Sequence, residues 1–248
     1  KLNTTKRLIL IMGLLSILAT VVIQAYYKVK NKQVDPRIVE ARALYEQYNA
    51  LTEENNIDSI IQLLDVIENA YQSVPHYTRS YERGVIYNNR AAIWLTEGLY
   101  GAENLPARQD SFIHLADNAL RKGIDIYTDW KASYQQLDEE EIEQKIKTGF
   151  MQGLEQYPPE EKNEYLENRV DEIIEGQAEI DRRLSVSYTN LGIIYRYHEA
   201  YDSAVHYYQK ALKLWERNLT AENNMNKLLG RPMRERGFIE KMFPRERL

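Results

Sequence analysis

The chain contains no cysteine, which excludes disulfides, thiolate metal sites and a cysteine nucleophile together. Glycine and proline are scarce, at 11 and 7 residues in 248. Turn-rich β-sandwiches need both in number, so the shortage favours a helical bundle or solenoid. Positive charge is not in excess. The net charge is −5, which offers no broad basic field to nucleic acid. Catalytic signatures are missing as well: there is no glycine-rich phosphate loop, no Gly-x-Ser-x-Gly elbow and no kinase set. His198-Glu199 does not open a zinc-binding HExxH helix, because Asp202 takes the place of the second histidine. The other histidines are His76, His114 and His206. We expect no metal, no cofactor and no catalytic residue.

Against these absences stands one long apolar run. Leu8 to Tyr27 carries no charge, and 20 residues at about 1.5 Å each match the roughly 30 Å of a bilayer's hydrocarbon core. Lys6 and Arg7 precede it, Lys28, Lys30 and Lys32 follow it, and Tyr26 and Tyr27 sit where aromatic belt residues belong. The run exceeds the usual 7–15 residues of a signal-peptide core, so we expect a retained single-pass anchor. The flanking charges do not fix orientation. By the common arrangement of N-terminal anchors, we expect the cell (inner) membrane, with the bulk of the chain on the periplasmic-type side. Gly13, Ser16, Thr20 and Gln24 fall on one stripe of such a helix. Small and polar side chains on one face allow close contact and hydrogen bonds to a neighbouring span. The alternative is that they bond their own helix.

The remainder repeats itself. Asp202 to Leu212 lines up with Asp110 to Leu120 at an offset of 92, and Tyr188 to Tyr195 lines up with Tyr87 to Trp94 at an offset of 101. The nine-residue difference falls around Gly98 to Pro106, whose glycines and proline read as a loop. A weaker copy of the Asp-Ser motif begins at Asp58-Ser59 and continues to Leu64; the first unit so defined spans roughly Pro36 to Tyr71, with Asp35-Pro36 as an N-cap and first helical residue. Tyr188, Leu191, Gly192, Tyr195, Ala204, Tyr208 and Ala211 in the last unit follow one pattern: aromatic, Leu-Gly and Tyr on a first helix, then Ala, aromatic and Ala on a second. The unit from Ser185 to Asn218 thereby resembles the tetratricopeptide repeat family, apart from Glu216 in place of the closing proline. In the middle unit Arg90 and Phe112 depart from the pattern, and in the first unit Tyr48 occupies a small position.

Leu137-Asp138 to Ile142 carries a capping box and a hydrophobic staple and begins an insertion. Residues 138–175 hold 13 acidic and 4 basic residues, read as a solvated helix face or as a surface for a basic partner. The segment from Lys227 to Leu248 has the opposite sign, with 7 basic and 3 acidic residues. Its apolar cluster Phe238, Ile239, Met242 and Phe243 either caps the solenoid or docks a partner.

These readings combine into an all-α chain: a short tail (1–7), a transmembrane helix (8–27), a linker (28–34), two repeat-like units (35–137), an acidic helical insertion (138–184), a third unit (185–218), and a capping helix with a basic tail (219–248). The resemblance implies a concave groove lined by first-helix residues: Asn88, Asn89, Thr189, Asn190, Ile193, Arg196 and Tyr197. It also places Asn89 and Asn190 where an amide grips a ligand's backbone, or else bonds a neighbouring helix. The expected function is a membrane-anchored scaffold or assembly factor with protein partners, integral-membrane proteins among them. One alternative is a permanent accessory subunit of a larger membrane complex. Another is a membrane-bound hydrolase working with carboxylates alone.

Overall fold

The computed structural model describes residues 34–54, 56–101 and 105–235. Its elements run α1 (Val39–Glu54), α2 (Ile57–Gln72), a 3-10 turn (Pro75–Tyr77), α3 (Tyr81–Thr96) with a π-helical turn at Glu97–Gly101, α4 (Pro106–Tyr134), α5 (Glu139–Phe150), α6 (Pro159–Tyr197), α7 (Tyr201–Leu214) and α8 (Leu219–Leu228). The described residues are thus all-α. None of their helices is long and apolar enough to cross a membrane. The run 8–27 with its stripe Gly13, Ser16, Thr20 and Gln24, and the cluster Phe238, Ile239, Met242 and Phe243, lie outside the described residues.

Local chemistry sets the helix boundaries. Asp138 and Glu141 form the capping box of α5 in both directions. Pro106 and Pro159 open α4 and α6, where a missing N–H costs nothing. Asp35 does not cap α1. It accepts the Arg37 amide at 3.0 Å and grips the same residue's guanidinium, and the helix begins only at Val39. The expected loop after Thr96 instead continues as the π-helical turn. Gly98 is pressed so closely to Ile113 that an added Cβ would lie 2.7 Å from its Cδ1.

Three hairpins, α1/α2, α3/α4 and α6/α7, pack side by side, and α8 closes the row against α7 and α6. Helix α6 is 39 residues long and joins the acidic insertion to the third unit without a break. Trp130 of α4 lies against Gly176, and Arg121 reaches the Tyr195 hydroxyl at 3.3 Å, so α4 and α6 run antiparallel.

Two of the hairpins cross in the same way. A Cβ on Gly192 would lie 2.6 Å from Cδ1 of the fully buried Tyr208, and one on Gly84 would lie 2.6 Å from Cδ1 of the fully buried Tyr127. Gly84, not Ala91, therefore stands where Gly192 stands, and Tyr127, not Ala116, where Tyr208 stands. The offset of 101 placed the first helix seven residues late, and the offset of 92 placed the second eleven residues early. Seven and eleven residues are about two and three helical turns. Both slips keep the same face toward the core, so periodicity alone cannot detect them.

Ion pairs hold the front of the row together. Arg169, its side chain 4 % exposed, bonds Glu82 at 2.5 Å, Glu172 at 2.9 Å and His76 Nε2 at 3.2 Å, and lies over the Tyr77 ring. Arg42 of α1 pairs with the same Glu172. Burial opposes ionisation of Glu82, but the Arg169 guanidinium outweighs it and holds the carboxyl down at about 2. Burial first and the Arg169 charge second push His76 down to about 3. On the α2/α3 side, Glu68 takes hydrogen bonds from Tyr87, Arg83 and Arg90. Burial resists its charge, but those bonds bring it to about 2.

Candidate functional site

A cleft of about 530 Å³ opens between α3, the second half of α6 and the start of α8. On α6, Arg182, Val186, Thr189 and Asn190 recur at the spacing of one helical face, so a single stripe supplies that wall. Asn88, Asn89 and Ala92 supply the α3 wall, and Trp215, Leu219 and Thr220 the third. Asn218 fixes the last wall in place. Its Oδ1 accepts the Ala221 amide at 3.0 Å as the N-cap of α8, while its Nδ2 donates to the hydroxyls of Ser185 at 2.8 Å and Thr189 at 2.9 Å.

Four of the seven expected groove residues meet in this cleft, but they do not stand alike. Asn88 is buried and accepts from the Ser187 hydroxyl at 3.0 Å. Asn89 donates its Nδ2 to the Tyr45 hydroxyl at 2.6 Å. Thr189 is buried, donating to the Ser185 carbonyl at 2.8 Å and accepting from Asn218. These three brace neighbouring helices, as buried polar groups must. Asn190 differs: half-buried in the cleft wall, it makes no hydrogen bond among the described residues. Asn89 and Asn190 also do not occupy one repeat position. Asn89 lies five residues after the crossing glycine of its hairpin, Gly84, and Asn190 two residues before Gly192. Both nevertheless line the cleft, one from α3 and one from α6.

The other three residues are placed elsewhere. Ile193 packs half-buried against the core. Arg196 donates to Asn224 Oδ1 of α8 at 2.7 Å. Tyr197 donates to Asp110 Oδ1 of α4 at 2.9 Å, beside a smaller hollow of about 190 Å³ between α4 and the end of α6. Among the described residues, no group of three or more histidine and acidic side chains is close enough to hold a metal ion.

Trp215, Leu219 and Thr220 were missed by sequence reasoning, although Asn218 was legible as an N-cap. A helix beginning there supplies the next first-helix wall of a solenoid. Arg182 and Val186 were equally legible as the stripe that continues from Asn190 back along α6. Arg182 is paired with Glu179, which leaves the cleft lined by amides, two threonine hydroxyls and apolar surface. Such a lining offers paired donors and acceptors but little net charge.

Comparison with known protein families identifies a tetratricopeptide repeat at residues 185–218. The match covers α7, the last part of α6 and the chain up to the N-cap of α8, well short of half the chain. No curated protein matches the sequence, and no solved structure matches the fold. Tetratricopeptide repeats generally mediate protein–protein contacts and are generally non-enzymatic.

Proposed function

We propose that the chain is a protein-interaction scaffold whose cleft between α3, α6 and α8 binds an extended segment of a partner protein. The observation that carries this reading is the Asn190 amide, without a hydrogen bond among the described residues, in the wall of a cleft whose other polar residues are largely satisfied by the fold. One primary amide presents a donor and an acceptor side by side, which suits the N–H and C=O of one residue of an extended chain. Val186, Leu219 and Trp215 then offer apolar contact for its side chains. Arg182, the basic residue of the lining, is already paired with Glu179, which favours an internal segment over a terminal carboxylate.

In this reading the scaffold is held at a membrane by the apolar run 8–27, with its bulk on the periplasmic-type side, and its partners include integral-membrane proteins. Support comes from the length of the run, its flanking charges and its polar stripe. The second reading, a permanent subunit of a membrane complex, rests on that stripe alone. Extraction of the full chain in mild detergent, followed by mass spectrometry, separates the two. A groove scaffold loses its partners on Asn190→Arg, which fills the cleft with a charged side chain. A stripe-held subunit keeps them on Asn190→Arg and loses them on Ser16→Leu with Gln24→Leu. Partners retained by both variants contradict both readings.

A further inference from the structure

One asparagine of α8 already holds a peptide backbone in the way proposed for Asn190. Helix α8 ends in a glycine cap: Gly230 adopts a left-handed φ of +64°, its N–H reaches the Lys227 carbonyl, and the Arg231 N–H reaches the Asn226 carbonyl at 2.8 Å. This is the arrangement that turns a chain back on its helix. The chain then runs antiparallel to α8. Opposite Asn223, the Arg234 N–H donates to Asn223 Oδ1 at 2.7 Å, and Asn223 Nδ2 donates to the Arg234 carbonyl at 2.9 Å. The Arg234 guanidinium meets Glu222 at 3.3 Å. At 100° per residue, Asn223 lies on the face of α8 between Leu219 and Thr220, one turn beyond them. Those two residues line the cleft, so the Asn223–Arg234 contact stands one helical turn from its mouth.

We propose that the segment that follows, residues 236–248, docks along α8 into this cleft as an internal ligand. Its length is ample: 13 residues extend to about 45 Å, and one helical turn separates Asn223 from Thr220. Its chemistry fits. Phe238 and Ile239 are the first apolar residues after the Asn223 grip, and Leu219, Val186 and Trp215 are the apolar surface of the cleft. The peptide groups between them meet Asn190. The segment then competes with any external peptide, lowering its apparent affinity by the fraction of time the cleft is occupied. This deepens the groove reading and rests on it, but it is tested without any partner.

The chain has no cysteine, so paired substitutions report proximity cleanly. Full-length protein carrying Thr220→Cys and Phe238→Cys is oxidised mildly at low concentration. The disulfide is read by non-reducing electrophoresis and peptide mapping. Val66→Cys on the exposed face of α2, paired with Phe238→Cys, is the control. The proposal expects an intramolecular bond at least tenfold faster at Thr220 than at Val66, and a fall to the control rate when Asn223→Ala is added. Equal rates at the two positions overturn it. An intermolecular bond in place of the intramolecular one also overturns it and identifies a second copy as the occupant. Cross-linking that persists while external peptides fail to bind discards the partner reading and leaves the internal ligand. Peptide binding without cross-linking does the reverse.

Discussion

The front and the back of the helix row are held by different chemistry. Around Arg169 and Glu68 the helices are joined by charges: Glu82, Glu172, Arg42, Arg83 and Arg90. Around Ser185 and Asn218 they are joined by neutral hydroxyls and amides, Ser187, Thr189 and Asn88 among them. A buried charge is tolerated only while its partners stay in place, whereas a neutral amide is satisfied by one or two bonds. The front is therefore closely paired, its carboxylates each held by one or more guanidinium groups. In the back, the Asn190 amide makes no hydrogen bond among the described residues and stands in the wall of a cleft. The binding surface is expected where the interior is neutral and small residues set the packing, which is also where the repeat is recognisable.

Arg169→Ala tests the front most severely. It strips Glu82 of its cation and leaves Glu172 to Arg42 alone, and should cost about 3–5 kcal/mol, read as a lower chemical-denaturation midpoint. Arg169→Met should cost nearly as much, because the lost charge and not the lost volume is decisive.

The two glycine crossings provide an internal control on the comparison. Gly84→Ala and Gly192→Ala each drive a methyl into a fully buried tyrosine ring, at a cost of about 1–3 kcal/mol each by overpacking. Similar losses in thermal unfolding would confirm that the two hairpins cross alike. A neutral Gly84→Ala beside a damaging Ala91→Leu would restore the seven-residue alternative.

Acid should attack the front first. His76 is held neutral in the fold, down to about 3, while the unfolded chain takes up that proton below about 6.5. The unfolded state then binds more protons, so stability is complete above about pH 6.5 and falls as pH drops toward 3, by about 2 kcal/mol between pH 6.5 and 5. Glu82 and Glu68, held near 2, add their loss only as pH falls below their unfolded value of about 4.3. Denaturation of the His76→Gln chain should lose the first phase and keep the second. Asn218→Ala acts at the back and should cost about 1–2 kcal/mol, by removing the cap of α8 with its bonds to Ser185 and Thr189, with no change in the pH profile.

The sequence made some of this plain. Tyr188, Gly192, Ala204 and Tyr208 specify a hairpin because a small residue under a ring fixes the crossing, and Asp138 and Glu141 announce a helix start by themselves. The Gly84–Tyr127 crossing was hidden, because Ala91 and Ala116 lie whole turns away on the same buried faces. The roles of the asparagines were hidden for another reason. Asn89 and Asn190 look alike in the chain, and only the position of Tyr45, 44 residues upstream in α1, consumes one and spares the other. The Arg169 cluster draws on residues from α1, the 3-10 turn, α3 and α6, and no local pattern joins them.

In the proposed function Asn190 serves a ligand and not the fold. Extended peptides selected by display against the full chain, titrated calorimetrically against the wild type and Asn190→Ala, test it most directly when thermal unfolding of both proteins is followed alongside. We expect an affinity loss of roughly tenfold, the worth of one or two hydrogen bonds at about 0.5–1.5 kcal/mol each, with an unchanged unfolding midpoint. Equal affinity, or a loss that appears only together with a lowered midpoint, would contradict it.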